Sequence, residues 1–567
     1  MRFMHKRTTL LATWLLMLCS IANLMALNQD LVQKKPKLTV IMVIDQFAHH
    51  YIQKLKPHLN HGIKMLLEQG VCYENAHHPH AIPETCPGHS SLSTGTVPTY
   101  HGVTGNRWYN KDGKPVEFIE DEGRACSAEV FRDKETTYDN HKRSSSHLMV
   151  DAFADQFVLS SPQENRNIAI SLSIKSKAAM ATANRMGKAI WFDDKTGRFT
   201  SSKHYYSKLP DWLEEFNEKH APTKLENVSW ETLYPRTSTA YDFPHIDNYD
   251  YAALNFPLIS EKPIPIDRTN ECPYDLYNKT PHSNKLLFDL AKKCIDSTIA
   301  PNSPNDMVMW LCLSSLDLLG HYYGPDSLEA IDMMYHLDQQ IKEFMLYAQY
   351  KMGKSNVLFA LTGDHGIQPM QELSYKKGIT QAQRVMVQPL IEKMNEFIEE
   401  KYDLENIVQA FESTYFVLNK QQMATKTAEE QAAILTDLKD MLLQEAAIKR
   451  VWTRDELHKA TFRTQDIESY YKNHLYDSRL GDLIIMPQPY CLITRYPKGC
   501  SHNTPYDYDT HVPLIVYQHG RFAPKTITQK VLIPQLPTTL SYLLGVVQPS
   551  AGTFPVLPGI FDEENHD

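Results

Sequence analysis

Three short runs along the chain, Leu38 to Ile44, Met307 to Leu313 and Val357 to Thr362, are apolar at nearly every position, and a fourth, Ile168 to Ile174, is interrupted only by Ser171 and Ser173. A run of strand length without polar alternation has two faces to bury, as in a parallel sheet covered by helices on both sides. A fifth strand is expected at Pro513 to Tyr517. After the first run, Ile63, Leu66 and Leu67 recur at helical spacing and Gly70 offers a stop. The pattern predicts an α/β fold: a central, mostly parallel sheet with helices on both faces. Each run also delivers a polar group at or just past its carboxyl end: Asp45, Lys175, Asp317 and Gly363-Asp364-His365-Gly366. Ligands of open α/β sheets bind along that edge, so these side chains are expected to converge.

Two longer stretches break the pattern. Residues at about 185–285 are rich in Trp, Tyr, Phe and Pro and are expected to form an aromatic cap. Residues at about 380–470 carry helical periodicity and many charges, and are expected to form a mostly helical insertion followed by strands such as Asp482 to Met486.

The amino terminus differs again. Arg2, Lys6 and Arg7 precede the apolar run Leu10 to Leu18, and Ala22 and Ala26 supply small residues, the layout of a signal peptide over residues 1–26. The apolar run is short for a membrane span, and bulky Leu18 before Cys19 disfavours lipid attachment. The expected product, 27–567, is periplasmic or secreted and carries no integral membrane segment. Its removal of three cations and no acid takes the formal net charge from -9 to -12. That sign excludes nucleic-acid binding through a general basic field. Eight of the nine Cys remain, and in an oxidising compartment Cys491 and Cys500, flanking a Pro-Lys-Gly turn, are the first pair expected to bridge.

The candidate chemistry centres on Ile82-Pro83-Glu84-Thr85-Cys86-Pro87-Gly88-His89. Pro is tolerated in a first helical turn, and a hydroxyl there sits beside unpaired N–H groups that favour anions. Thr85 is thus a candidate nucleophile towards phosphate, although on this motif alone an ordinary helix cap accounts for it better. Asp317 and His321, at i and i+4, are placed to share one ion, and Asp364-His365 is an adjacent pair. An Asp after a strand often caps a helix, and 25 His make chance neighbours common. With Asp45 and with His511, just ahead of the last strand, the set offers three Asp and three His, enough for two zinc ions.

The ordered set resembles the alkaline phosphatase superfamily, in its bacterial threonine-nucleophile, phosphate-insensitive (PafA-like) branch, with the nucleotide pyrophosphatase/phosphodiesterases as relatives. The resemblance runs from about Leu38 to Pro558. It rests on Asp45-Gln46, Thr85-x-Pro-Gly-His89, Thr94-Gly95, His101-Gly102, Gly105-Asn106-x-Trp108-Tyr109, Ile174-Lys175, Trp191-Phe192-Asp193, Gly363-Asp364-His365-Gly366 and Asp509-Thr510-His511-Val512-Pro513. It implies an alkaline-phosphatase-like fold with cap insertions. It also implies two Zn2+ ions, one held by Asp45, Asp364, His365 and Thr85 Oγ, the other by Asp317, His321 and His511. Thr85 would form a phosphothreonine intermediate with small phosphorylated substrates. Asn106 and Lys175 match positions that contact the extra anionic oxygen of a monoester, and Lys177 stands where that branch has Arg, which lacks a replacement for its planar fork in Lys. Sulfatases of the superfamily convert a Cys or Ser in this slot; here Thr85 fills it and Cys86 is one residue out of phase, so Cys86 is expected only to pack. A diesterase using the same metals and a non-catalytic metal- or phosphate-binding module are the alternatives.

Overall fold

In the computed structural model, residues 35–121, 143–161, 167–220, 224–242, 251–254, 256–464, 466–476 and 479–561 are described. The proposed signal peptide lies outside them. No described helix is long and apolar enough to cross a membrane.

Ten strands form the main sheet: β1 (Leu38–Ile44), β2 (Val71–His77), β3 (Asn167–Ser173), β4 (Lys188–Asp193), β5 (Arg198–Thr200), β6 (Asp306–Leu313), β7 (Val357–Gly363), β8 (His511–Gln518), β9 (Lys525–Ile527) and β10 (Val531–Leu532). Their order is β9-β2-β8-β7-β1-β6-β3-β4-β5, with β10 also on β2. The five strands β7, β1, β6, β3 and β4 run parallel, whereas β8 is antiparallel to both its neighbours. All seven residues of β1 are buried. Val40, Met42 and Ile44 pack into one apolar layer, while Ile41 and Val43 pack into the other. This two-sided burial is the physical content of the unbroken apolar runs: each such side chain stabilises the fold by about 1.5–3 kcal/mol relative to exposure, and a polar residue on either face would forfeit it.

Helices α1 (Thr85–Thr94), α2 (Ser176–Ala183), α3 (Ser315–Tyr323) and α4 (Leu328–Met352) bear on the site. On one face, α4 lays Ile331, Met334, Leu337 and Ile341 into the layer with Val40 and Met42. Its first turn is held by the Ser327 hydroxyl, which accepts the Ala330 N–H. The helix expected around Ile63 spans Gly62–Gln69 and ends at Gly70.

Strand register fixes the working edge. Ile44 lies opposite Leu313 on one side and Gly363 on the other, and Ser173 lies opposite Cys312. The residues just beyond these ends, Asp45, Asp364 and Lys175, therefore emerge side by side, and Asp317 follows on the first turn of α3.

The two long stretches carry strands beyond those expected of them. Ala189 to Phe192 are buried in β4, which pairs with β3, so the aromatic stretch begins inside the main sheet. The charged stretch contains the helices Val387–Tyr402 and Ala428–Leu443, but also the strands Val408–Glu412, Tyr415–Leu418 and Ile448–Thr453. With Leu483–Pro487 these strands build an antiparallel sheet of four, over a separate apolar core that includes Leu390, Phe416, Leu438 and Ile485. Helix periodicity dominates a sequence window, and strands of four to six residues between helices leave too short a pattern to register. The Cys491–Cys500 bridge is not formed: every described cysteine is a free thiol. Cys491 Sγ donates to the Gln381 carbonyl at 3.0 Å, and Cys500 engages His321 through its backbone instead.

Candidate active site

Helix α1 begins at Thr85 and is buried along its whole length. Glu84 is its N-cap residue and makes no side-chain cap bond, so the capping account of Thr85 does not hold. The Thr85 hydroxyl is turned towards the sheet edge, where Lys175 Nζ lies 3.3 Å from Oγ1. Close packing makes this possible. A Cβ on Gly88 would stand 2.2 Å from the Asp364 carbonyl oxygen, so α1 touches the Asp364 backbone at a point where only glycine fits. Gly88→Ala is expected to push α1 off Asp364 and to cost about 1–3 kcal/mol of stability, with loss of bound metal, measurable by thermal denaturation and by metal analysis of the purified protein.

Three buried carboxylates converge on this point: Asp45, Asp317 and Asp364. Lys175 Nζ donates to Asp45 Oδ2 at 2.7 Å and to Asp317 Oδ2. Gln46, held at φ 69°, ties two of them together: its backbone N–H donates to Asp364 Oδ1 at 3.1 Å and its side-chain amide to Asp317 Oδ1 at 2.8 Å. Burial works against the charge of Asp45, but Lys175 holds its carboxyl down at about 2. Burial likewise opposes a proton on His365, yet Asp364 and Asp45 raise it to about 9.

Three histidines complete the cluster, each oriented in the same way. His365 Nδ1 donates to the Gly366 carbonyl at 2.9 Å, His321 Nδ1 to Cys500 at 3.0 Å and His502 Nδ1 to Pro83 at 2.7 Å. Committing Nδ1 to a backbone carbonyl presents Nε2 with its lone pair, the arrangement metal-binding histidines use. The Nε2 atoms face carboxylate oxygens: His365 lies 3.3 Å from Asp45 Oδ1, His321 3.3 Å from Asp317 Oδ1, and His502 3.6 Å from that same oxygen. Asp317, His321 and His502 form one convergent donor group, and Asp45, Asp317 and His365 another. Asp45 Oδ1 and Asp364 Oδ2 lie 3.3 and 3.4 Å from His365 Nε2, and Asp364 Oδ2 also lies 3.0 Å from His89 Nδ1. Three carboxylates brought this close in a dry interior are costly unless cations answer them. The donor set therefore fits metal ions, and its mix of imidazole and carboxylate suits zinc.

His511 is not among them. It opens β8 opposite His77, its ring stacks between those of His49 at 4.1 Å and His77 at 4.5 Å, and its Nε2 bonds the Glu74 carbonyl at 2.7 Å. His502 occupies the place expected of it. The motif around His511 serves the site through Asp509, whose Oδ2 accepts the Thr504 N–H at 3.0 Å and hydroxyl at 2.6 Å, and whose carbonyl accepts the Gly366 N–H. It thereby ties the loop of His502 to the loop of Asp364 and His365. The apolar strand before the 501–504 loop, Cys491–Thr494, is only four residues long and ends eight residues before His502, so spacing gave His502 no signal.

The cluster floors a cavity of about 950 Å³ lined by Thr85, Asn106, Lys175, Lys177, Asp317 and His321, among others. Asn106 is fixed by its side-chain carbonyl, which accepts the Cys86 N–H at 3.0 Å. Cys86 itself is fully buried in an apolar group with Val103 and Trp108. Lys177 reaches the cavity but pairs with Glu117 at 3.4 Å. An arginine from elsewhere in the chain, Arg143, lines the same cavity and donates to Ser176 Oγ at 3.3 Å. Sequence spacing did not single it out.

The model of the type I phosphodiesterase/nucleotide pyrophosphatase family matches residues 39–511. The chain is 28% identical to alkaline phosphatase PafA of Elizabethkingia meningoseptica, covering 95% of this chain and 96% of the relative. It is 28% identical to alkaline phosphatase PhoV of Synechococcus elongatus, covering 92% of each. The crystal structure of wild-type PafA superposes with a TM-score of 0.80 at 26% identity, over 92% of this chain and 98% of that one. The family match over 39–511 and the fold shared with PafA place this chain in the type I phosphodiesterase/nucleotide pyrophosphatase family, as a phosphoric ester hydrolase of the PafA-like branch of the alkaline phosphatase superfamily.

Proposed function

We propose that the protein is an exported phosphomonoesterase that uses two zinc ions and forms a phosphothreonine on Thr85. The observation that carries this reading is Lys175: its part-buried ammonium stands at the sheet edge, 3.3 Å from Thr85 Oγ1, in the cavity that Asn106 also lines. A monoester dianion has one more charged oxygen than a diester, and a fixed cation beside the nucleophile answers it. Asp317, His321 and His502 would hold one ion, with Asp45, Asp364, His365 and Thr85 Oγ at the other. Bound there, the pair supplies Lewis-acid stabilisation of the entering and leaving oxygens and lowers the pKa of a coordinated hydroxyl.

The chain's own residues do the rest. Helix α1 holds the Thr85 oxygen at the cavity floor, in line for attack on phosphorus. The phosphoryl group transfers to Thr85 Oγ, which gives up its proton, as the ester P–O bond breaks and the leaving oxygen takes up a proton to become the alcohol; water then attacks phosphorus, releasing inorganic phosphate and restoring the Thr85 hydroxyl. Through both displacements Lys175 and the Asn106 amide face the non-bridging oxygens, where preorganised donors count for more than they would in water. The cavity is far larger than a phosphate, which leaves room for the alcohol portion of a small phosphorylated substrate.

The test compares kcat/KM of the zinc-loaded protein on p-nitrophenyl phosphate and bis-p-nitrophenyl phosphate, with Lys175→Ala alongside. The monoester is expected to be preferred, and Lys175→Ala to cut that preference by about 100-fold, the usual scale for one preorganised donor. Preference for the diester, unchanged by Lys175→Ala, would move the assignment to a diesterase built on the same residues.

A further inference from the structure

Immediately before the nucleophile stands a buried carboxylate with no part in the chemistry above. Glu84 is 6% exposed, and its two oxygens serve different parts of the chain. Oε2 accepts the Asn106 backbone N–H at 2.7 Å, and Oε1 accepts the Ser413 hydroxyl. Asn106 returns the contact, its Oδ1 taking the Cys86 N–H. Glu84 and Cys86, on either side of Thr85, thus grip Asn106 by its backbone and its side chain. With its carbonyl oxygen committed, the NH2 is the part of the Asn106 amide that remains to donate to a substrate oxygen.

Ser413 belongs to the smaller sheet. It forms, with Thr414, the two-residue turn between Val408–Glu412 and Tyr415–Leu418, and holds φ at 51°. Its neighbour Glu412 accepts the Arg107 guanidinium through Nε at 2.9 Å and through Nη2. Arg107 follows Asn106 as Ser413 follows Glu412. The hairpin therefore holds the Asn106–Arg107 segment at two adjacent points, one directly and one through Glu84. Both are part-buried contacts to a carboxyl group, and the one from Arg107 is bidentate on the donor side, which fixes geometry.

We propose that the Glu412–Ser413 turn, acting through Glu84, is the positioning element for Asn106, so that the smaller sheet sets the preference for monoesters over diesters. The inference rests on the reading of Asn106 as a contact to the monoester's extra oxygen. Glu84 and Ser413 are positioning residues: neither needs to touch the substrate. A fastening that served stability alone would affect both substrates equally. One that aims Asn106 affects the substrate whose extra oxygen Asn106 meets.

The experiment measures kcat/KM for p-nitrophenyl phosphate and bis-p-nitrophenyl phosphate on the zinc-loaded full chain, for Ser413→Ala, Glu84→Gln and Glu84→Ala, each alone and combined with Asn106→Ala. Ser413→Ala is expected to lower the monoester value about tenfold, part of the roughly 100-fold that a 1 Å misplacement costs, and to leave the diester value within about twofold. The same substitution is expected to add nothing once Asn106 is Ala. Glu84→Gln keeps a carbonyl for the Asn106 N–H and an amide facing Ser413, and is expected to retain most of the preference that Glu84→Ala loses. Should Glu84→Ala fail to fold, Ser413→Ala and Glu84→Gln still decide the matter. Equal losses on both substrates, or a full additional loss in the Asn106→Ala background, would overturn the inference while leaving the phosphomonoesterase standing. A wild-type preference for the diester, or an Asn106→Ala variant with an unchanged monoester rate, would overturn the reading beneath it and this inference together.

Discussion

Thr85→Ala is expected to abolish turnover of p-nitrophenyl phosphate, lowering kcat by at least about 1,000-fold, or roughly 4 kcal/mol of barrier. The Thr85 hydroxyl is the nucleophilic group that α1 presents at the cavity floor, and water attacking in its place would lack the orientation that a fixed helix terminus gives. Thr85→Ser, which keeps the oxygen, is expected to retain activity far above the Ala variant. Acid quenching during turnover, followed by mass spectrometry, is expected to find phosphate on the peptide containing Thr85 in the wild type and none in Thr85→Ala. Thr85 lines the cavity, so the Ala variant should fold, with Asp45, Asp364 and His365 left to hold the ion on that side. An Ala variant that keeps its metal and still turns over within tenfold of wild type would remove Thr85 from the mechanism.

The second large effect separates two histidines. His502→Ala is expected to lose the ion held with Asp317 and His321, and with it at least about 100-fold in kcat/KM, whereas His511→Ala should keep full metal content and activity within about twofold. His502 presents Nε2 to Asp317 and has its Nδ1 anchored on Pro83, so removing it deletes one donor of a three-residue group and leaves a carboxylate in a dry setting short of countercharge. His511 is spent on its stack with His49 and His77 and on the Glu74 carbonyl. Metal content by atomic emission, together with kcat/KM, reads both variants. If His511→Ala were the one to lose metal, the placement of the 501–504 loop and of the start of β8 would have to be exchanged in function.

Some of this molecule is settled locally. An all-apolar run such as Val40 to Ile44 can be satisfied only between two apolar layers, and the polar group that follows it must leave the sheet where the strand ends. Hence β1, β3, β6 and β7 lie within a residue or so of their expected bounds, and Asp45, Lys175, Asp317 and Asp364 meet. Asp317 with His321, and Asp364 with His365, are likewise determined by the chain alone, since neighbours on one helical turn or one tight turn cannot separate far. The helix start at Thr85 follows from Pro87 and Gly88, although only the packing of Gly88 on Asp364 decides that the hydroxyl faces the site rather than capping its own helix.

What the tertiary structure alone decided is which distant groups return to that edge. His511 has the better local credentials, standing at the mouth of an apolar strand, yet the antiparallel pairing of β8 with β2 and β7 carries its ring to the His77 side. His502, on a loop without periodicity, is brought in by Pro83 and by the Asp509 anchor of Thr504. Arg143 reaches the cavity from a segment with no strand pattern, and Ser413 reaches Glu84 from another sheet across 329 residues of sequence. Burial periodicity is a property of neighbours along the chain and is therefore written in the sequence; the return of a loop to a site depends on the register and direction of strands that are remote from it, and no local pattern encodes that.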